Sequence, residues 1–209
     1  MKLTIFGGTG RTGQILIRQA LEKGYPVTAL ARSPEKLALQ HPNLRVVQGN
    51  LQDPTCVTGV IAGADAVISV LGPTSNQPIY AVSQGTANIL SAMQAAGVPR
   101  LVVSAGAGVS APGDTPKLFN RLMNRLLQAT ARYVYEDMLR AVEEVRASDR
   151  DWTVVRVPML IDGSGTGQVK VGMVGKGMGA RITRADLARF LLARAEQGDF
   201  IRQSPAISN

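Results

Sequence analysis

A chain of 209 residues, 45% apolar and 18% charged, has the length and apolar content for one soluble domain with a sizeable core. Its 23 Lys and Arg against 15 Asp and Glu give a net charge of +8 and raise a polyanion as partner, yet four Phe, four Tyr and one Trp are too few for base-stacking platforms and the basic residues are dispersed, which argues against nucleic acid. One Cys and one His exclude a disulfide framework and a His-based metal site, so no metal is expected.

In chain order, a short apolar strand at residues 3–6 runs into Gly7-Gly8-Thr9-Gly10-Arg11-Thr12-Gly13, and an amphipathic helix at 12–23 ends at Gly24. Strands follow at 27–31 and 44–47, with His41 before Pro42 in the polar turn between them, a surface position. Asp53 and Pro54 supply an N-cap and a first-turn proline for a helix ending near Gly63, in which Cys56 is expected as a small buried hydrophobe. A strand at 66–71 leads to a longer helical segment at 77–96 closed by Gly97, then to a strand at 101–103. Lys117, Arg121 and Arg125 recur at i, i+4 and i+8, with Arg132 beyond and no acid between, while Leu118, Leu122, Leu126 and Leu127 form the apolar side. This is either a solvated helix face or a basic substrate rim that attracts an anionic acceptor. After a strand at 152–157, Gly163, Gly165, Gly167, Gly172, Gly175, Gly177 and Gly179 interrupt a weakly β-like stretch, expected to line a ligand cleft, and Thr183-Arg184-Ala185-Asp186 caps a last helix running to Arg194.

Strand, crossover and strand repeated five times predict an α/β, Rossmann-like doubly wound parallel sheet, a single domain over 1–209 with a small glycine-rich excursion on its substrate side. The strands are apolar throughout rather than alternating, as parallel strands covered on both faces are. No stretch reaches the roughly 18 apolar residues of a membrane span. The expectation is therefore a cytoplasmic, reduced protein, without membrane or nucleic-acid partners, as a monomer or weak homodimer.

The glycine turn carries the strongest signal. Gly7, Gly10 and Gly13 after a strand and opening a helix permit a tight turn, close approach of backbone N–H groups to a pyrophosphate, and helix-on-strand packing, so Gly7, Thr9, Gly10, Arg11, Thr12 and Gly13 are candidate cofactor-binding residues. At the end of the second strand, where an NAD site places Asp or Glu, this chain has Ala31-Arg32-Ser33-Pro34-Glu35-Lys36. A guanidinium fork at Arg32, the Ser33 hydroxyl and Lys36 as a second charge suit a 2′-phosphate, which favours NADPH over NADH.

With these residues, Gly49-Asn50-Leu51, Ile68-Ser69-Val70-Leu71-Gly72, Gly97 to Ser104, Trp152 to Pro158 and Ile182 to Leu187, the chain resembles the atypical short-chain dehydrogenase/reductases. Within them it is most similar to the NAD(P)H-binding, NmrA-like branch that includes flavin reductase/biliverdin-IXβ reductase. The resemblance implies that Asn50 and Leu51 flank the adenine, that Leu71 and Gly72 lie along ribose and pyrophosphate, and that Ser104, Pro158, Met159 and Leu160 surround the nicotinamide. Asn50 stands where the family usually has Asp. The better-known members also use Tyr-x-x-x-Lys, whereas here Tyr133 is followed by Asp137 and Tyr135 by Leu139. The branch therefore implies direct hydride transfer to a flat conjugated, anionic acceptor, with Ser104 as the one candidate catalytic residue and a flavin such as FMN entering as substrate rather than as a bound prosthetic group. Two other readings stay open: a non-enzymatic NADP-binding regulator of the NmrA type, and an epimerase- or assembly-type relative, the absent Tyr-x-x-x-Lys counting against an epimerase.

Overall fold

The computed structural model describes residues 1–209 apart from Thr74 and Lys117 and the side chains of Phe119, Asn120, Arg121, Met123 and Asn124. Its elements in chain order are β1 (Leu3–Phe6), α1 (Arg11–Glu22), β2 (Val27–Ala31), a 3₁₀ turn (Pro34–Lys36), β3 (Leu44–Gln48), α2 (Pro54–Ile61), β4 (Ala66–Ser69), α3 (Ala81–Ala95), β5 (Arg100–Gly106), α4 (Leu118–Thr130), α5 (Arg132–Ala147), β6 (Asp151–Val157), β7 (Met159–Ile161), β8 (Lys170–Gly172), β9 (Arg181–Thr183), α6 (Arg184–Gln197) and β10 (Ala206–Ser208).

The main sheet has the order β3-β2-β1-β4-β5-β6-β10-β8. Its first six strands are parallel, β10 continues them beside β6, and β8 closes the edge antiparallel to β10. Neighbouring residues of a strand point to opposite faces, and both faces are buried. Ile5, Ile68, Val102 and Val155 pack with Leu16 and Ile17 of α1 and Leu187 and Leu191 of α6. Their sequence neighbours Phe6, Val67, Leu101 and Val154 pack with Val57 of α2, Ile89 and Met93 of α3 and Val142 of α5. This is why the strands read as unbroken apolar runs.

Three of the boundaries that differ from the sequence reading shape the site. β4 stops at Ser69, so Val70 and Leu71 leave the sheet to form a wall instead of extending a strand to 71. α3 begins at Ala81, not near Gln77, because Tyr80 adopts φ 50°, a left-handed conformation that no helix continues through. β5 runs on to Gly106 and so carries Ser104 within the strand. The sequence reading also passed over α5 and β10, and it ended the last helix at Arg194, whereas α6 reaches Gln197 before Gly198 at φ 63°. Cys56 is half-buried rather than buried, with Sγ 3.1 Å from Asp53 Oδ2; that hydrogen bond, then burial, raise its pKa. Asp53 caps α2 by accepting from the N–H groups of Thr55 and Cys56, as the Asp-Pro pair implied.

Candidate cofactor and acceptor clefts

All the strand ends that matter open on one edge. β1 is flanked by β2 on one side and β4 on the other, so the chain reverses direction of winding there, and the crevice at the carboxyl ends is where such sheets take ligands. A cleft of about 320 Å³ follows this edge, walled by Phe6, Gly7, Thr9 and Gly10 from the first turn, Ala31 and Arg32 after β2, Gly49, Leu51 and Gln52 after β3, and Val70 to Pro73 after β4. Tyr80, Tyr133 and Asp137 close its far side.

The turn is built for a backbone cradle. Gly7 has φ 80°, and a Cβ on it would lie 2.8 Å from the Val70 carbonyl oxygen. Gly10 is the N-cap of α1 and supplies no side-chain acceptor, so the first N–H groups of the helix are left for an acceptor from outside the chain. A Cβ on Gly10 would meet only the Gly7 oxygen, at 3.3 Å, which leaves the space before it open. Gly13 serves packing: its Cβ would fall 2.1 Å from the same oxygen, locking helix against turn. Gln14 Nε2 ties the turn down by donating to the carbonyls of Thr9 and Lys36. The cleft, the unfilled helix N-terminus and the Arg32 guanidinium on its wall fit a dinucleotide phosphate backbone.

A second cleft of about 300 Å³ adjoins the first and shares Val70, Leu71, Gly72, Pro73 and Val82 with it. Thr12, Ser104, Gly106, Met138, Pro158, Leu160 and Leu187 line it. Ser104, Pro158 and Leu160, distant in sequence, thus meet around one space because β5 and β6 are adjacent in register. Ser104 is part-exposed there, and among the described residues its hydroxyl has no hydrogen-bonding partner. Beyond Pro158 a third cavity of about 530 Å³ is bordered by Ala107, Ser110, Asp114 and Arg156 and by Val174, Gly175 and Met178 of the glycine-rich stretch. That stretch accordingly lines a cleft, as its position between strong flanks implied.

Several residues singled out from the sequence lie off these walls. Ser33 precedes the 3₁₀ turn and Lys36 ends it, exposed, so of the basic candidates only Arg32 reaches the cleft. Asn50 is exposed, its Oδ1 accepts from the Gln52 N–H at 3.2 Å, and it does not line the cleft. Met159 points outward from β7 with 62% exposure, because the strand alternation that turns Pro158 and Leu160 inward turns it out. Arg11 pairs with Asp162 at 3.3 Å, and Asp162 also binds Arg184 at 2.7 Å, a link between the first turn and the segment after β7. Of the basic rim, Lys117 and the Arg121 side chain lie outside the described residues, and Arg125 is exposed and borders none of the three spaces.

Sequence reasoning missed three side chains that build the site. Asp137, four residues after Tyr133, is buried and accepts from the N–H groups of Val82 and Ser83 at 3.0 and 2.8 Å, capping α3 from a neighbouring helix. Tyr80 donates to Glu136 at 2.9 Å, stacks edge-on with Tyr133 and lies under Arg140; the Glu136 hydrogen bond, burial and the Glu136 charge raise its pKa. Arg156 is fully buried beneath the third cavity, where it holds both carboxylate oxygens of Asp114 and donates to the carbonyls of Ser204 and Val109. Asp114 also accepts from the N–H groups of Ala111 and Val174; burial raises its pKa, and Arg156 with these donors outweighs burial and lowers it. An Arg in a run of valines was the one available signal for this pair.

A profile of the NAD(P)H-binding family matches residues 7–197. Oxidoreductase aflX of Aspergillus parasiticus is 29% identical over 72% of this chain, which spans only 61% of that protein; the chain spans about a third of two other curated relatives. A short-chain dehydrogenase/reductase of Veillonella parvula in complex with NADP superposes with a TM-score of 0.83, 18% identity and coverage of 100% of this chain and 94% of that one. Anaerobillin reductase ChuY of Escherichia coli O157:H7 superposes at 0.79 with 21% identity, covering 100% and 97%. Among the described residues no helix is long and apolar enough to cross a membrane, and no group of His, Cys, Asp and Glu is placed to hold a metal ion. With the cradle, the strand order and the matched span together, the chain belongs to the NAD(P)H-binding family and has a Rossmann fold.

Proposed function

We propose that the chain is an NADPH-dependent reductase of a flat conjugated acceptor, such as a flavin, a biliverdin-like tetrapyrrole or a quinone. The observation that carries the reading is the continuity of the glycine-cradle cleft with the cleft around Ser104, Pro158 and Leu160, through a shared wall at Val70 to Pro73. That arrangement suits a dinucleotide lying across the sheet edge with its reactive ring beside the larger cavity. Arg32 takes the 2′-phosphate, the N-terminus of α1 takes the pyrophosphate, and Ser104 orients the ring or the acceptor. When bound, NADPH supplies the hydride, two electrons and a proton, and water supplies the second proton that the reduced acceptor needs. The chain contributes chiefly position: a preformed apolar space holds the two reactants face to face.

Tyr133 is not the proton donor in this reading. The place four residues on, where lysine would lower its pKa, is held by Asp137, and that carboxylate is committed to the α3 N-terminus. The same observation favours the second reading, a cofactor-binding regulator without an acceptor. NADPH consumption followed optically against FMN, riboflavin, a biliverdin and simple quinones separates them: turnover with one of these is expected, and tight NADPH binding with no turnover supports the regulator. Tyr133→Phe and Tyr135→Phe are each expected to keep most of kcat, whereas loss of a general acid would remove about 10²–10⁴-fold.

A further inference from the structure

Three of the four leucines of α4 do not face the protein; Leu127 alone is half-buried. An amphipathic helix on a globular domain turns its apolar side inward, and α4 packs on α5, yet Leu118, Leu122 and Leu126 are 82%, 62% and 52% exposed. At i, i+4 and i+8 they lie on one side of the helix, along about 12 Å of its axis. Isolated exposed leucines are ordinary, but three in line on one helix are not. Residues 115–135 contain Lys117, Arg121, Arg125 and Arg132 and not one acid; Arg132 pairs with Glu136 at 2.6 Å, the other three lie at or beside α4, and the whole chain carries +8.

We propose that α4 docks the protein on an anionic lipid surface, with the three leucines entering the interface and the cations of residues 115–135 meeting the headgroups. A leucine row accompanied by positive charge on a single exposed helix is the chemistry of an interfacial helix, which lies in the membrane plane and needs no spanning segment. The expectation of no membrane partner rested on the absence of such a segment and did not weigh this face. A second copy of the chain is the less suitable occupant, because a two-fold contact sets the same patch against itself and brings the cations of residues 117, 121 and 125 against their own copies, with no acid among residues 115–135 to pair them. Pro116, two residues before α4, lines the large cavity, so docking brings that cavity's wall to the lipid surface. The proposal stands apart from the reductase reading, since binding is measured without nucleotide or acceptor.

The test is co-sedimentation of the full chain with vesicles of phosphatidylcholine containing 30% phosphatidylglycerol, and with phosphatidylcholine alone. Binding to the anionic vesicles is expected, weakened at least tenfold on pure phosphatidylcholine and weakened by raised salt. Leu122→Glu is expected to abolish it while leaving the circular dichroism spectrum and NADPH affinity as they were. Arg125→Gln is expected to weaken it about fivefold. Equal binding to both vesicle types, or no binding to either, overturns the proposal. So does a lipid-free dimer that Leu122→Glu dissolves while vesicle binding is unchanged.

Discussion

The two halves of the ligand edge are held in different ways. On the β1–β4 side, position is set by backbone: Gly7 at φ 80°, the uncapped start of α1 and the strand ends themselves. On the β5–β10 side, the walls of the large cavity come in part from glycine-rich chain with little regular structure, and two carboxylates pin that chain. Asp114 gathers Arg156, Ala111 and Val174, and Asp186 gathers Thr166, Gly167, Thr183, Arg189 and Asn209. A cradle made of backbone takes one shape of ligand. Loops latched by side chains can be re-cut by changing loop residues while the latches stay, which is the division expected where the cofactor is fixed and the second reactant is the specialised one.

That contrast predicts the largest effect at a latch. Arg156→Met leaves the half-buried Asp114 without its cation and is expected to destabilise the fold by about 3 kcal/mol in urea unfolding, whereas adding Asp114→Leu should recover much of the loss. A small loss in the single variant would mean that the pair does not hold the cavity wall. On the cradle side, Gly10→Val is expected to abolish NADPH binding with a smaller change in unfolding midpoint than Arg156→Met, because the backbone angles at Gly10, φ −74° and ψ 161°, suit any residue and its Cβ meets only the Gly7 oxygen, at 3.3 Å. Normal NADPH affinity in the folded variant would make the turn merely structural.

Arg32→Ala is expected to weaken NADPH by about 1–3 kcal/mol and leave NADH unchanged, measured by fluorescence titration; equal losses for both would remove the 2′-phosphate assignment. The smallest effect is in acid. Burial would raise the Asp186 pKa, but the N–H of Thr166, the Thr183 hydroxyl, the N–H of Gly167 and the Asn209 amide outweigh it and bring it from 3.8 to about 2. Its folded pKa is depressed, so its contribution to stability is complete above the unfolded value and is lost as pH falls from about 3.8 through about 2. Asp186→Asn should flatten the acid limb of the stability curve over that window, with little change in cofactor affinity.

The β1–β4 half of the edge was the legible half. Gly7, Gly10 and Gly13 between a strand and a helix, and Arg32 where an acid would hold a ribose, are local patterns, and local backbone geometry follows from local sequence. Asn50, Met159 and Lys36 were carried over by likeness or sequence proximity, and side-chain direction, which depends on strand alternation and turn geometry, put them elsewhere. The latches were illegible because Arg156 and Asp114 are 42 residues apart and Asp186 and Asn209 are 23 apart.

By itself the sequence determined the doubly wound sheet, through apolar strands too evenly hydrophobic to face water, and the tight turn after β1, through glycines that a positive φ and close packing require. Tertiary structure alone decided which of the later residues meet. Ser104, Pro158 and Leu160 share a cleft because β5 lies beside β6, Asp137 caps α3 because α5 packs across it, and three leucines of α4 face outward although the helix packs on α5. Periodicity fixes which residues share a side of a helix or strand. Which side meets the protein depends on what the rest of the chain brings against it, and that is information no single segment carries.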